Sequence, residues 1–270
     1  MRKDRYTQGY SDAVTALHGK RTVQSHASFL LPYLKPGLRV LDCGCGPGSI
    51  TLGIAQKVDP GEVIGIEVED SQLTIARKKA VEKSITNVRF EHASVYELPY
   101  ESASFDIVFF SAVLGNLNFP DKALLEARRV LKDDSLLAIR EFDFTGNLLY
   151  PEDSLIQKSF ELWFNLRKHY GQPPYGIGRL LKEIVKKAGF KDPFISASYE
   201  VFVDNHDTEF CASVFANLIL GAWKKALLEL SLTSNSEMIQ MVDAWRLFGE
   251  KSNAFLAIAW CEALVWKRNG

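Results

Sequence analysis

Hydrophobic runs and helical periods alternate through the first two thirds of the chain. Short runs of strand-forming residues occur at 39–42, 62–67, 88–91, 105–112 and 136–142. Helical patterns lie between them at 49–58, around Leu73 to Val81 and at 121–131, where we expect Asp121 to cap the helix. Strands separated by helices predict a parallel sheet with helices on both faces, because parallel strands need crossovers of that length.

The last third has a different pattern. Helices are predicted at 155–170 and 177–188, followed by a strand at 194–203, two apolar-rich helices at 208–230 and 237–248, and a final strand at 255–266. No linker and no internal repeat separates these segments. We therefore expect one elaborated domain over residues 1–270, with the two late helices inserted between two antiparallel terminal strands.

A glycine-rich turn is the strongest chemical signal in the sequence. The stretch 40–48 reads Val-Leu-Asp-Cys-Gly-Cys-Gly-Pro-Gly, directly after one strand and before a helix. Such a turn lets a ligand approach the backbone and meet the helix N-terminus, although a purely structural connection is the alternative. Asp42 ends the first strand and Glu67 ends the second, about where an acidic residue binds ribose hydroxyls.

Charge narrows the choice of nucleotide-like ligand. A dinucleotide brings a pyrophosphate to the turn, where the Asp42 carboxylate would repel it and Pro47 offers no backbone N–H. The third glycine of the dinucleotide pattern is also replaced by Ser49. S-adenosylmethionine has no phosphate and carries a cationic amino group and a sulfonium. The sequence therefore favours a methyl donor over NAD.

Five motifs taken together resemble the class I S-adenosylmethionine-dependent methyltransferases, of the type found in quinone biosynthesis and small-molecule tailoring (methyltransferase type 11). They are residues 42–48, 65–67, 97–100, 104–108 and 126–132. The resemblance covers about residues 35–142. Residues 5–34 also resemble the N-terminal segment of some bacterial members. The family resemblance implies a Rossmann-like, doubly wound α/β sheet. This sheet would have seven strands, mostly parallel, with an antiparallel terminal strand and helical additions at both ends.

On the basis of this resemblance we expect the chain to have four parts. Residues 1–34 would form an N-terminal helical cover, and residues 35–143 would form the donor-binding core. Residues 144–190 hold a helical insertion and the last crossover, and residues 204–253 hold a helical insertion between the last two strands.

The resemblance also implies a donor site for S-adenosylmethionine and its product S-adenosylhomocysteine. Glu67 would take the ribose hydroxyls, while Asp42 and Gly44 would line the methionine part. The full set of implied donor-site residues is Tyr10, Arg21, Asp42, Gly44, Gly46, Glu67, Gln72, Ser94, Val95 and Ser111. Two positions depart from the family: Ser94 stands where an acid usually faces the adenine amine, and Gly115-Asn116-Leu117 replaces a common His-His-Leu.

Methyl transfer needs no covalent nucleophile, and it needs a base only where the acceptor must lose a proton. The candidate bases are His18, Glu141 and His169; His26, His206 and Asp143 are weaker candidates, with structural alternatives for each. His18 lies in the segment expected to fold over the donor, Glu141 follows the fifth strand, and His169 lies in the helical insertion. We expect no metal site.

The composition of the chain limits the classes of partner that we expect it to bind. The chain has 270 residues, with 32 basic and 33 acidic residues and a formal net charge of -1. This balance makes nucleic acid an unlikely partner and favours a small-molecule acceptor. No signal or membrane-spanning pattern is present, and the four cysteines suggest reduced thiols, so we expect a cytoplasmic protein.

The sequence thus predicts methyl transfer to an O or N atom of a small, partly apolar metabolite. A NAD-type oxidoreductase and a non-catalytic S-adenosylmethionine-binding protein are the alternatives. The apolar positions on the two late helices predict packing, with part of that surface covering the acceptor; a homodimer contact is the rival interpretation.

Overall fold

One mixed sheet organises the computed structural model, which describes residues 4–268. In this described part the sheet has eight strands in the order β3-β2-β1-β4-β5-β8-β6, with β7 also paired to β8. The strands are β1 Val40–Cys43, β2 Val63–Glu67, β3 Val88–His92, β4 Phe105–Ser111, β5 Leu131–Phe142, β6 Leu148–Tyr150, β7 Phe194–Phe202 and β8 Phe255–Trp266. Strands β1 to β5 are parallel, and β8 runs antiparallel to β5, β6 and β7.

The predicted fold class is confirmed, with one strand more than the seven expected. The additional strand, β6, pairs only three residues with the start of β8. A run of three residues is too short to show an alternating pattern, so the sequence did not reveal it.

Helices flank the sheet on both faces. They are α1 Asp12–Gly19, α2 Val23–His26, α3 Ser49–Val58, α4 Asp70–Glu82, α5 Pro120–Val130, α6 Ser154–His169, α7 Leu181–Lys187, α8 Asn205–Leu220, α9 Lys224–Glu229 and α10 Asn235–Gly249. The expectation that Asp121 caps a helix was wrong: α5 begins at Pro120, which suits a first helical position because it needs no N–H partner there. The single helix expected at 208–230 is divided at Gly221 into α8 and α9.

The late helices pack around aromatic side chains. Trp163 of α6 stacks on Trp223 with ring centroids 5.4 Å apart, and Phe215 of α8 stacks on Trp245 of α10 at 4.4 Å. Trp163, Trp223 and Trp245 are all essentially buried. The apolar spacing on these helices is therefore a packing pattern. No helix among residues 4–268 is long and apolar enough to cross a membrane.

The N-terminal segment is attached to these late helices by buried hydrogen bonds. The indole N–H of Trp163 donates to the Thr7 hydroxyl at 3.2 Å, and the indole N–H of Trp223 donates to the Thr7 carbonyl at 3.0 Å. Further along the sequence, the Gln72 amide of α4 donates to the hydroxyl of Thr15 in α1 at 3.1 Å. These contacts hold the segment over the carboxyl ends of the parallel strands.

We predict that Thr7→Val lowers the free energy of unfolding by about 1–3 kcal/mol, because the buried indole N–H of Trp163 loses its acceptor. Urea denaturation measures the change. Thr74→Val on the exposed surface of α4 is the matched control, expected to alter stability by less than about 0.5 kcal/mol. Equal stabilities of the Thr7 and Thr74 variants would contradict the anchoring role of Thr7.

Candidate functional site

The glycine-rich turn after β1 is fastened to the end of β2. The backbone N–H groups of Gly44 and Cys45 donate to the Ile66 carbonyl at 2.8 and 2.9 Å. The N–H of Gly46 donates to the Glu67 carboxylate at 3.2 Å. The turn and the second strand end therefore form one rigid edge.

Glycine is present at two positions of this turn for different physical reasons. Gly44 has a φ of +74°, and a Cβ there would lie 2.4 Å from Val113, so only glycine fits. Gly46 has a φ of +51° with nothing within 4 Å of an added Cβ. Because Gly46 also borders a cavity, it gives a ligand direct access to the backbone.

Asp42 lies beneath the turn with only 3% of its surface exposed. Its carboxylate accepts a hydrogen bond of 2.6 Å from the Thr51 hydroxyl at the start of α3. Burial raises the pKa of Asp42 to about 7, while the Thr51 bond opposes that shift. A cationic ligand group beside this carboxylate would favour its ionised form.

Glu67 is held by backbone donors. Besides Gly46, it accepts the N–H of Val68 at 2.8 Å and of Glu69 at 3.2 Å, both on Oε1. A carboxylate has about four acceptor sites, so these three bonds leave one on Oε2 for a ligand hydroxyl. Burial raises the pKa of Glu67, and the three backbone bonds oppose the rise.

All ten residues of the predicted donor site line one cavity at this edge. Tyr10 and Arg21 reach it from the N-terminal cover, and the others come from the strand ends and from α4: Asp42, Gly44, Gly46, Glu67, Gln72, Ser94, Val95 and Ser111. The Ser111 hydroxyl is buried without a hydrogen-bond partner, whereas the Ser94 hydroxyl accepts the Tyr96 N–H at 3.2 Å. The cavity thus offers two carboxylates, of Asp42 and Glu67, and an unpartnered hydroxyl of Ser111.

The cavity wall also includes residues that the sequence did not predict there. Asp4, Tyr96 and Asn116 line the cavity, and the Tyr96 hydroxyl donates to the Asp4 carboxylate at 3.1 Å. Asp4 also accepts the N–H of Asn118 at 2.7 Å. Asp4 lies 92 positions before Tyr96 and 114 positions before Asn118 in the sequence, so no local pattern could have paired them.

Of the three predicted bases, only His18 lines the cavity. Its Nε2 lies 3.2 Å from the Tyr6 hydroxyl, which donates to Gln8 at 2.7 Å. Burial holds the pKa of His18 well below its usual range, and the nearby Arg21 charge lowers it further. His18 is therefore neutral at neutral pH, and the lowered pKa also makes it a weaker proton acceptor than an exposed imidazole.

Glu141 has a structural position instead. Its fully buried carboxylate accepts the backbone N–H groups of Val113 and Leu114, both at 2.7 Å. On the other side of that loop, Arg167 donates to the Gly115 carbonyl at 2.6 Å. Glu141 and Arg167 thus hold the loop after β4 through its backbone, and we call this pair the buried clamp. Burial raises the pKa of Glu141 to about 7.

The remaining candidates lie away from the cavity. His169 is exposed at the end of α6, with its ring against Tyr170. His26 is buried against Trp260, His206 is exposed beside Asp207, and Asp143 forms an ion pair with Arg179. Glu141 and Asp143 lie at the end of β5, as the sequence indicated, but their carboxylates have protein partners and do not line the cavity.

Comparison with known proteins agrees with this geometry. A family model described as a methyltransferase domain matches residues 34–189. Probable methyltransferase ltbC of Aspergillus luteorubrus is 31% identical, with 97% of each chain covered. An uncharacterized methyltransferase of Schizosaccharomyces pombe is 28% identical over 92% of this chain and 91% of its own. The C-methyltransferase UbiE of Teredinibacter turnerae is 34% identical, but over only 52% of this chain and 55% of its own.

Solved structures with lower identity share the fold. The 4+2 cyclase SpnF matches with a TM-score of 0.55 and 22% identity, covering 96% of this chain and 81% of its own. Phosphoethanolamine N-methyltransferase 2 of Haemonchus contortus, in complex with S-adenosylmethionine, matches with a TM-score of 0.53 and 19% identity over 87% of this chain and 50% of its own. One of these names is a cyclase, so the fold alone does not define the reaction.

We predict that S-adenosylhomocysteine binds more tightly as the pH rises through about 7, because its cationic amino group pairs with ionised Asp42. One pH unit below that pKa about nine tenths of Asp42 is protonated, so affinity should be about tenfold lower than one unit above it. Calorimetry at the two pH values measures this.

Two variants assign the effect. Asp42→Asn should bind more weakly and lose the pH dependence, whereas Glu141→Gln should keep it, although both carboxyls have a pKa raised to about 7. A pH dependence that disappears in the Glu141 variant and persists in the Asp42 variant would refute the assignment.

Proposed function

The chain belongs to the S-adenosylmethionine-dependent methyltransferase family, and on that premise we propose that it methylates an O or N atom of a small, partly apolar metabolite. The observation that carries the proposal is a neutral His18 imidazole lining the same cavity as the acidic glycine-rich turn. A base beside the donor site suits an acceptor that loses a proton, such as a hydroxyl.

The side chains in the cavity fit the donor. The open space at Gly46, the buried Asp42 carboxylate and the unpartnered Ser111 hydroxyl match a phosphate-free ligand with a cationic amino acid end. In this proposal Asp42, Gly44 and Ser111 hold the methionine part. Glu67 and Gln72 hold the ribose and adenosine, with Ser94 and Val95 beside the adenine. Tyr10 and Arg21 close the site from the N-terminal cover.

S-adenosylmethionine supplies the sulfonium-bound methyl group when it is present. The protein contributes position and exclusion of water, which together account for up to about 7–11 kcal/mol of barrier in aligned reactions. The buried clamp of Glu141 and Arg167 supports this role, because it fixes the loop that carries Val113 and Asn116 into the cavity wall.

His18 would take the acceptor's proton. Because the Tyr6 hydroxyl gives its hydrogen to Gln8, Nε2 of His18 is the donor toward Tyr6, and Nδ1 carries the lone pair. A hydroxyl acceptor would lose its proton to Nδ1 as its oxygen attacks the methyl carbon. An amine acceptor with a free lone pair needs this proton transfer only after attack.

The acceptor should be small because the N-terminal cover restricts the cavity. Tyr6, Val113 and Leu117 give its wall apolar surface. The UbiE C-methyltransferases match only about half of this chain, so their carbon acceptors are a weaker guide. Nucleic acid is not an expected acceptor at a net charge of -1, and a homodimer and a cytoplasmic location stay predictions.

A non-catalytic S-adenosylmethionine-binding protein is the second candidate. It is favoured by the Ser94 side chain and by Gly115 and Asn116 replacing the family's histidine pair. Incubation with labelled donor and a cell extract, followed by identification of the labelled product, separates the two. A labelled small molecule supports the proposed function, and donor binding without any labelled product supports the alternative.

Once the acceptor is identified, we expect His18→Ala to lower kcat by about 10²–10⁴-fold for a hydroxyl acceptor, because general base catalysis is lost. S-adenosylhomocysteine affinity should change by less than about threefold. His206→Ala, which alters an exposed histidine outside the cavity, is the control and should leave kcat unchanged. A kcat in the His18 variant equal to that of the control would remove His18 from the mechanism.

A further inference from the structure

A buried polar cluster lies beneath the N-terminal cover, beside the proposed methyl-transfer site. Its centre is Trp260 of β8, with the Arg140 guanidinium 4.1 Å from the indole centroid and the Arg21 guanidinium 5.3 Å from it. Arg140 and Trp260 are each 2% exposed. Two cations around one buried indole have a high desolvation cost, so their polar atoms should be paired.

The acidic groups of this cluster do have partners. Glu262 accepts hydrogen bonds from the hydroxyls of Ser196 and Ser198, and its carboxylate lies 3.6 Å from Nε of Arg140. Glu200 lies 3.2 Å from His26. The acceptor atoms of the cluster are therefore largely satisfied within the protein.

The donor atoms are not satisfied. Nη1 of Arg140, Nε of Arg21 and the indole Nε1 of Trp260 are all buried without a hydrogen-bond partner, as is the hydroxyl of Ser111. Each of these nitrogens can only donate. An excess of buried donors indicates a missing acceptor atom, and an oxygen carrying negative charge would complement two guanidinium groups best.

The cluster borders the donor cavity. Arg21 and Ser111 line that cavity, and Ser111 is the register partner of Arg140 on the neighbouring strand. Arg21 therefore stands between the cavity and the deeper donors of Arg140 and Trp260.

We propose that Arg21, Arg140 and Trp260 form a subsite for an oxyanion of the methyl acceptor, a carboxylate or a phenolate on a planar, partly apolar molecule. Tyr6, Val113 and Leu117 line the same cavity and provide the apolar surface for the rest of that molecule. The subsite rests on the proposed function, since it places the acceptor next to the methyl donor.

The test uses three probes of one ring size: benzoate, 4-nitrophenolate and benzylamine. Each is titrated by calorimetry into the full-length protein saturated with S-adenosylhomocysteine. We expect benzoate or 4-nitrophenolate to bind and benzylamine not to bind; the tighter of the two anions identifies a carboxylate or a phenolate as the preferred group.

Two conservative variants test the donors. Arg140→Lys keeps the charge but loses the planar fork, and Trp260→Phe removes the indole N–H. Each should weaken binding of the preferred anion by at least about tenfold, the usual effect of losing a hydrogen bond to a charged group. Trp266→Phe, on the same strand and outside the cluster, should leave it unchanged.

The outcomes separate the two proposals. If the wild-type protein fails to bind S-adenosylhomocysteine, the proposed function fails. If it binds S-adenosylhomocysteine, the subsite is overturned by any of three results: neither anion binds, benzylamine binds as well as the anions, or both variants bind the anion like wild type. Retained S-adenosylhomocysteine affinity in the variants shows that they fold.

Discussion

The hydrogen bonds between the glycine-rich turn and the end of β2 are the constraint on which the rest of the site depends. They fix Gly44, Gly46 and Glu67 relative to one another, and they leave Asp42 buried beneath the turn. A buried acid with a raised pKa costs stability in the ionised form. A cationic ligand group beside Asp42 would compensate that cost. The burial of Asp42 therefore accounts both for the unfavourable ionisation of its carboxyl and for a preference of the site for cationic ligands.

The second requirement is a cover that excludes water, and this chain builds it from long-range polar contacts. Asp4, Thr7 and Thr15 connect the N-terminal segment to Tyr96, to the tryptophans of the late helices and to Gln72. The late helices therefore affect the site indirectly: their aromatic packing supplies the fixed donors that position the cover. The buried Glu141 and Arg167 side chains have a similar role for the loop after β4, which they hold through its backbone.

The local sequence was sufficient to predict those parts of the site whose residues are close together in the chain. The motif from Asp42 to Gly48 and the position of Glu67 were predictable because strand ends and glycine turns have short-range signatures. Glu141 shows where such reasoning ends. It lies at the carboxyl end of a predicted strand, as a catalytic acid would, yet its carboxylate is occupied by backbone N–H groups that lie 26 to 28 residues earlier. The anchoring of Thr7 and the strand β6 are likewise set by tertiary contacts. The end of α8 at Gly221 is a local signal, because glycine is common at helix ends.

We propose that one cavity, at the ends of β1, β2 and β4 and under the N-terminal cover, binds the methyl donor. Hydrogen–deuterium exchange with and without S-adenosylhomocysteine tests this most directly. We expect slower exchange in three separate segments, at residues 6–21, 43–50 and 66–73, with little change in α8 and α10. Protection confined to the late helices, or the absence of protection at 43–50, would contradict it.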